Sequence, residues 1–193
     1  PNIVINAAAK VGGILANNLR RTEFILNNLK ININIIESIS EYPETKLINL
    51  GSSCIYPLGA KMPIKESTLM TGKLEPTNSP YAMAKLTAIE LGNAMRTQYG
   101  HNVINLMPTN LYGPYDSFSA EYSHVIPGLI YRMHKAKIEK MENFDIWGSG
   151  KPLREFLYVN DLANAIKFII ENDINDSLLN IGSGIEVSIK SIA

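Results

Sequence analysis

Tyr81 and Lys85 stand four residues apart, which puts both side chains on one face of a helix. A free phenol, with a pKa near ~10, is a sluggish acid or base at neutrality. A fixed ammonium one turn away stabilises the phenolate and lowers that pKa, so the pair suits proton transfer to a carbonyl or hydroxyl. Alone, a Tyr-x-x-x-Lys is a weak signal, because a surface Tyr beside a solvated Lys satisfies it equally. Upstream, the run Leu50-Gly51-Ser52-Ser53-Cys54-Ile55-Tyr56-Pro57 closes an apolar segment. A Ser52 hydroxyl at a strand end can donate to a substrate oxygen beside the Tyr. Cys54 is the single thiol and His124 one of three imidazoles. Both groups titrate near neutrality and can move protons at acidic C–H positions. Their plainer readings are a small buried filler for Cys54 and a capping or core residue for His124.

The elements that position these residues alternate in type. Ile3 to Ala7 reads as a buried parallel strand, followed by a turn at Lys10 to Gly13. A helical pattern covers Arg20 to Glu41, with Phe24, Ile25, Leu29, Ile33, Ile36 and Ile39 near helical spacing, and Pro43 ends it. Lys46 to Gly51 is a second strand, Ser52 to Pro80 a polar loop, Tyr81 to Gln98 a helix stopped by Gly100. Val103 to Met107 is a third strand and Pro108 to Ser123 a loop. Val125 to Lys140 follows as a helix, tolerating Pro127 in its first turn. Phe144 to Trp147 and Arg154 to Val159 are short strand candidates. Asn160 or Asp161 caps a helix to about Glu171, and Leu178 to Ile181 is a last strand. This alternation implies an α/β parallel sheet covered by helices, with ligands beyond the carboxyl ends of its strands.

Composition narrows the partners. The 193 residues carry 18 basic and 18 acidic side chains, so no positive field advertises nucleic acid or a membrane surface. One cysteine excludes an intrachain disulfide, no apolar run approaches a membrane span, and no signal peptide is visible. The expectation is a cytoplasmic protein. The chain begins Pro1-Asn2 without an initiator Met and stops at Ser188 to Ala193, which reads as the start of a helix. The expectation is a segment of a longer protein.

The segment Glu75-Pro76-Thr77-Asn78-Ser79-Pro80-Tyr81-Ala82-Met83-Ala84-Lys85, with its upstream strand-end serine, resembles the extended, nucleotide-sugar branch of the short-chain dehydrogenases. Five further segments are similar to the GDP-L-fucose synthase family: Asn6 to Ile14, Gly51 to Pro57, Met107 to Pro114, Ser123 to Pro127 and Trp147 to Phe156. The resemblance covers nearly the whole chain, in order. It implies a doubly wound, Rossmann-like fold with part of a smaller substrate-binding domain. Residues 1–122 would form an NADP-binding domain lacking its first strands. Residues 123–193 would contribute substrate-binding elements and return to that domain.

For chemistry, the resemblance implies NADPH-dependent 3,5-epimerisation and 4-reduction of GDP-4-keto-6-deoxy-D-mannose. Ser52, Tyr81 and Lys85 match the reductase triad, Tyr81 protonating the C4 oxygen and Lys85 holding the nicotinamide ribose. Cys54 and His124 match the pair that moves protons at C3 and C5. Leu50, Gly51, Ser52, Ser53, Lys85, Pro108, Thr109, Asn110, Leu111 and His124 match cofactor-binding positions, and Ala7 to Ala9 with Gly12 and Gly13 allow close backbone approach. Arg132, Trp147 and Arg154 match positions that hold the GDP-sugar. A surface charge and a core anchor are the plainer readings of an unplaced Arg or Trp. Related enzymes pair through two helices matching Arg20–Glu41 and Tyr81–Gln98, so a homodimer is expected, the second helix offering Ala82, Ala84, Ala88 and Gly92. No metal is implied. One departure stands out: the glycine-rich G-x-x-G-x-x-G turn that cradles a pyrophosphate is absent, so NADP rests on the resemblance. Two other readings stay open: a related sugar-nucleotide 4-epimerase or dehydratase, which needs Ser52, Tyr81 and Lys85 but not Cys54 with His124, and a catalytically silent dinucleotide-binding protein.

Overall fold

The computed structural model describes residues 1–119 and 123–193. Its main sheet has the order β1-β2-β3-β6, with every pairing parallel: β1 Ile3–Asn6, β2 Lys46–Leu50, β3 Val103–Pro108 and β6 Leu178–Ile181. A smaller sheet joins β4 Asn110–Tyr112, β5 Leu153–Tyr158 and β7 Glu186–Ser188. The helices are α1 Ile14–Leu19, α2 Arg21–Ser40, α3 Ser79–Tyr99, α4 Val125–Ile138, α5 Val159–Glu171 and the short α6 Ile189–Ile192. Among the described residues, no helix is long and apolar enough to cross a membrane.

Strand alternation splits the core between the two faces of the main sheet. Leu47 and Val103 pack with Ile36, Ile39 and Met95 of α2 and α3. Ile48, Ile104 and Leu106 point the other way and pack with Ile169 of α5. The fold is therefore doubly wound, as the alternation of elements predicts. α3 starts with Pro80 in its first turn and ends at Gly100, which adopts φ 73 and returns its N–H to the Arg96 carbonyl. The glycine-free middle of β3 is wholly buried between two helical layers.

Several expectations are corrected. β1 lies at the sheet edge, so Ile5 is 47% exposed and the strand is not buried. The stripe of α2 that faces inward runs Phe24, Asn28, Asn32, Ile36, Ile39, with two amides where the apolar count favours Leu29 and Ile33. Two short helical turns, Ser53–Ile55 and Glu66–Thr68, interrupt the supposed loop after β2, and β4 interrupts the one after β3. Phe144 to Trp147 forms no strand, and α5 is entered through Tyr158 with no side-chain cap from Asn160 or Asp161. Ala82, Ala84, Ala88 and Gly92 are buried inside the chain, where a Cβ on Gly92 would collide with Val103, so they offer nothing to a second subunit. The expected division between residues 122 and 123 adjoins residues 120–122, which lie outside the described residues, as does that part of the loop before α4.

Candidate active site

Three turns meet beyond the carboxyl ends of β1, β2 and β3. Register fixes this, since Asn6 lies opposite Asn49 and Leu50 opposite Leu106. The turn after β2 begins at Gly51, which donates its N–H to the Leu106 carbonyl at 2.8 Å. A Cβ there would overlap the Met107 thioether, so glycine lets the buried Met107 tip lie against the end of β2. Ser52 then continues in extended backbone and caps the turn Ser53–Ile55, its hydroxyl accepting from the Cys54 N–H at 3.4 Å.

Tyr81 arrives on the first turn of α3. The loop ahead of it is fixed by the Glu75 carboxylate, which accepts from the Thr77 N–H at 3.0 Å and the Asn78 N–H at 3.1 Å. Burial opposes the Glu75 charge, but the Thr77 and Asn78 bonds and the nearby Arg21 outweigh it and hold this carboxyl below its ordinary range. Arg21, opening α2, donates to the Pro76 carbonyl at 2.8 Å. Phe24 meets the Tyr81 ring edge-on, with centroids 6.4 Å apart, and Gly12 leaves Phe24 the room to do so.

The Ser52 hydroxyl lies beside both the Cys54 thiol and the Tyr81 phenol and favours the ionised form of each. Lys85 is 2% exposed, donates to the Leu50 carbonyl at 2.8 Å, and stands 5.9 Å from the Tyr81 ring centroid. Ser52, Cys54, Tyr81 and Lys85 thus form one cluster. Its electrostatics differ from the sequence expectation. Burial, then the neighbouring thiol, push the Tyr81 phenol above its ordinary pKa, and only the nearby Ser52 hydroxyl opposes them. The ammonium of Lys85 is spent on the Leu50 carbonyl and does not acidify the phenol. Burial brings Lys85 itself down to about 8, and burial pushes the Cys54 thiol up to about 11 against the pull of Ser52 and Lys85. In this arrangement Tyr81 and Cys54 are both protonated, fit to give protons.

The neighbouring turn offers Pro108, Thr109, Asn110 and Leu111. Thr109 donates its N–H to the Ile181 carbonyl at 3.1 Å, yet its hydroxyl is buried without a partner. Asn110 is turned to the second sheet, donating to the Glu155 carbonyl at 2.9 Å. His124 is exposed at the head of α4, and none of the described contacts joins it to Cys54 or Tyr81. Arg132 of α4 stacks its guanidinium 4.9 Å from the Trp147 ring and keeps a buried, unpartnered Nε. Arg154, on β5, instead donates to the Leu153 carbonyl at 2.7 Å and meets neither of them. Among the described residues, no cluster of His, Cys, Asp or Glu could hold a metal ion. Sequence reasoning passed over Phe24 and Glu75, which aim Tyr81. A helical apolar stripe hid the first, and an isolated loop carboxylate gave no signal for the second.

A doubly wound parallel sheet, with a strand-end serine beside the Tyr of a Tyr-x-x-x-Lys on the next helix, defines a Rossmann-like protein of the short-chain dehydrogenase type. More narrowly, the chain belongs to the NAD dependent epimerase/dehydratase family, which it matches over residues 1–182. It is 51% identical over its full length to a GDP-L-fucose synthase of Sinorhizobium fredii and 52% identical to GDP-L-fucose synthase 1 of Arabidopsis thaliana, covering 62% and 60% of those proteins. The chain thus spans about 60% of the length of these curated relatives. Among solved structures it is similar to a GDP-L-fucose synthetase from Naegleria fowleri bound to NADP, with a TM-score of 0.86 at 31% identity, covering 100% of this chain and 59% of that one. A GDP-mannoheptose C4 reductase from Campylobacter jejuni with NADP bound gives a TM-score of 0.86 at 31% identity, over 100% and 67%.

Proposed function

We propose that the whole protein converts GDP-4-keto-6-deoxy-D-mannose to GDP-L-fucose by 3,5-epimerisation and NADPH-dependent 4-reduction. The observation that carries this reading is the cluster around Ser52, which sets the phenol needed for ketone reduction beside the one thiol suited to epimerisation, with Lys85 next to both. When bound, NADPH supplies the hydride for C4. The residues present fit such a cofactor: Gly51 opens the turn after β2, Thr109 holds a buried hydroxyl in need of a partner, and Lys85 is a sequestered cation at the Leu50 carbonyl. We assign the cofactor to Leu50 to Ser53, Lys85, Pro108 to Leu111 and His124.

In this reading Tyr81 gives its proton to the C4 oxygen, which becomes a hydroxyl. A phenol held above its ordinary pKa is reliably protonated before the step. Ser52 orients that oxygen and Lys85 holds the ribose. Cys54, also protonated, returns a proton to a carbon beside the ketone, and His124 removes one on the other face, an assignment that requires the head of α4 to approach the sugar. Arg132 and Trp147 grip the GDP-sugar, with Arg154 at its diphosphate. A homodimer through α2 and α3 is also proposed, on the exposed Leu26, Ile33 and Met83, along with a cytoplasmic setting.

NADPH consumption by the full-length protein, followed by absorbance with purified keto-sugar, tests the reduction. Mass spectrometry of the product made in deuterated water tests the epimerisation. Deuterium at C3 and C5 is expected and should disappear in Cys54→Ser. Full uptake by both Cys54→Ser and His124→Ala would instead favour a simple 4-reductase or 4-epimerase.

A further inference from the structure

β1, β2 and β3 each place an asparagine in the same cross-strand row, Asn6 opposite Asn49 and Asn49 opposite Asn105. The row faces α2 and α3, beside the apolar row Val4, Leu47 and Val103. An apolar row would fill this space, and a buried amide left unpaired is destabilising. Here the amides satisfy one another. Asn49 Nδ2 donates to Asn105 Oδ1 at 3.1 Å, and Asn105 Nδ2 to the Ser177 carbonyl at 3.1 Å. Asn6 Nδ2 uses both hydrogens, reaching Asn49 Oδ1 at 2.8 Å and Asn32 Oδ1 at 3.4 Å. Asn32 Nδ2 donates to the Ala84 carbonyl at 3.4 Å. All four side chains are buried.

The two ends of this network bracket one side chain. Ala84 is joined by its peptide to Lys85, and Asn49 immediately precedes Leu50, whose carbonyl receives the Lys85 ammonium. Asn32 therefore holds the root of Lys85, Asn49 lies next to the acceptor at its tip, and Asn6 ties the two together. We propose that Asn6, Asn32 and Asn49 are positioning residues that fix the Lys85 ammonium relative to Tyr81 and the end of β2. The catalytic part of this inference rests on the reaction proposed above. Neutral amides suit the task, since they fix geometry in a buried site without adding charge beside the ammonium.

The test uses the full-length protein carrying Asn6→Leu or Asn32→Leu, which keep side-chain size and delete the amide. The Lys85 amine is titrated by NMR with labelled lysine, assigned by its loss in Lys85→Arg. The groups facing this amine are the Leu50 carbonyl, the Cys54 thiol and the Tyr81 phenol. Its pKa of about 8 should rise by roughly one unit as the amine loosens and hydrates. Turnover should fall roughly tenfold to a hundredfold with the sugar KM little changed. Ile36→Ala, one turn along α2 in the apolar cluster, should lower Tm and leave both readings alone. Asn32→Ser, too short to reach Ala84, supplies the same readings if the Leu variants do not fold. An unchanged Lys85 titration and kcat in the Asn variants, or equal shifts in Ile36→Ala, would make the row mere sheet adhesive. A wild-type protein inert toward the keto-sugar would sink the proposed reaction, while the titration would still decide the positioning.

Discussion

The corner around Tyr81 and the surface around Trp147 are built in opposite ways. At the first, Ser52, Cys54, Tyr81 and Lys85 come from two adjacent elements, lie buried or half-buried, and are close enough to shift one another's titration. At the second, Arg132, Trp147 and Arg154 come from three separate segments; Trp147 is 60% exposed, and Arg132 stacks on it. The first region is preorganised by the sheet, so its groups have shifted pKa values before anything binds. At the second, Trp147 and Arg154 are open to solvent and Arg132 is only partly covered, so its geometry depends on what it holds.

On that contrast, the largest loss should come from the buried corner. Tyr81→Phe should lower NADPH turnover on the order of 10²–10⁴-fold while the fold, read by circular dichroism, is kept. Retained turnover would remove Tyr81 from the mechanism. Gly51→Ala should come next. Its methyl overlaps Met107, and overpacking of this kind costs about 1–3 kcal/mol, read as a lower denaturant midpoint. An unchanged midpoint would mean that the ends of β2 and β3 separate easily.

Titration sharpens the same comparison. Cys54 has its pKa raised in the folded chain, from 9.0 to about 11, so its contribution to stability is complete below pH 9.0 and is lost as pH rises toward 11. Lys85 acts oppositely: its depressed pKa makes stability grow between about 8 and 10.5. Melting curves against pH should therefore show Cys54→Ala flattening the alkaline loss above pH 9.0, and Lys85→Met removing the rise between about 8 and 10.5. The smallest effect belongs to the open region. Trp147→Ala should change stability by less than about 0.5 kcal/mol, as an exposed side chain does, yet weaken GDP-sugar binding measured by calorimetry. A large fall in Tm would show that Trp147 is a core anchor after all.

Much of the buried corner was legible without coordinates. The Tyr81–Lys85 spacing needs only a helix, and a strand-end Ser52 needs only the apolar run before it. Local periodicity and turn chemistry determined those, along with the parallel α/β class and the stop at Gly100. The sign of the Tyr81 shift was not legible. Spacing puts an ammonium near a phenol, but which acceptor that ammonium chooses depends on where the Leu50 carbonyl ends up. The inward turn of Asn28 and Asn32 was hidden for a related reason. Counting apolar residues assigns Leu29 and Ile33 to the core, whereas burial of an amide becomes acceptable only when distant strands bring Asn6 and Asn49 within reach. Sequence alone determined the residues able to do chemistry and the elements carrying them, because those depend on neighbours in the chain. Only the tertiary structure decided their charges, their partners and which helix face is buried, because desolvation and hydrogen bonding are set by groups far away in sequence.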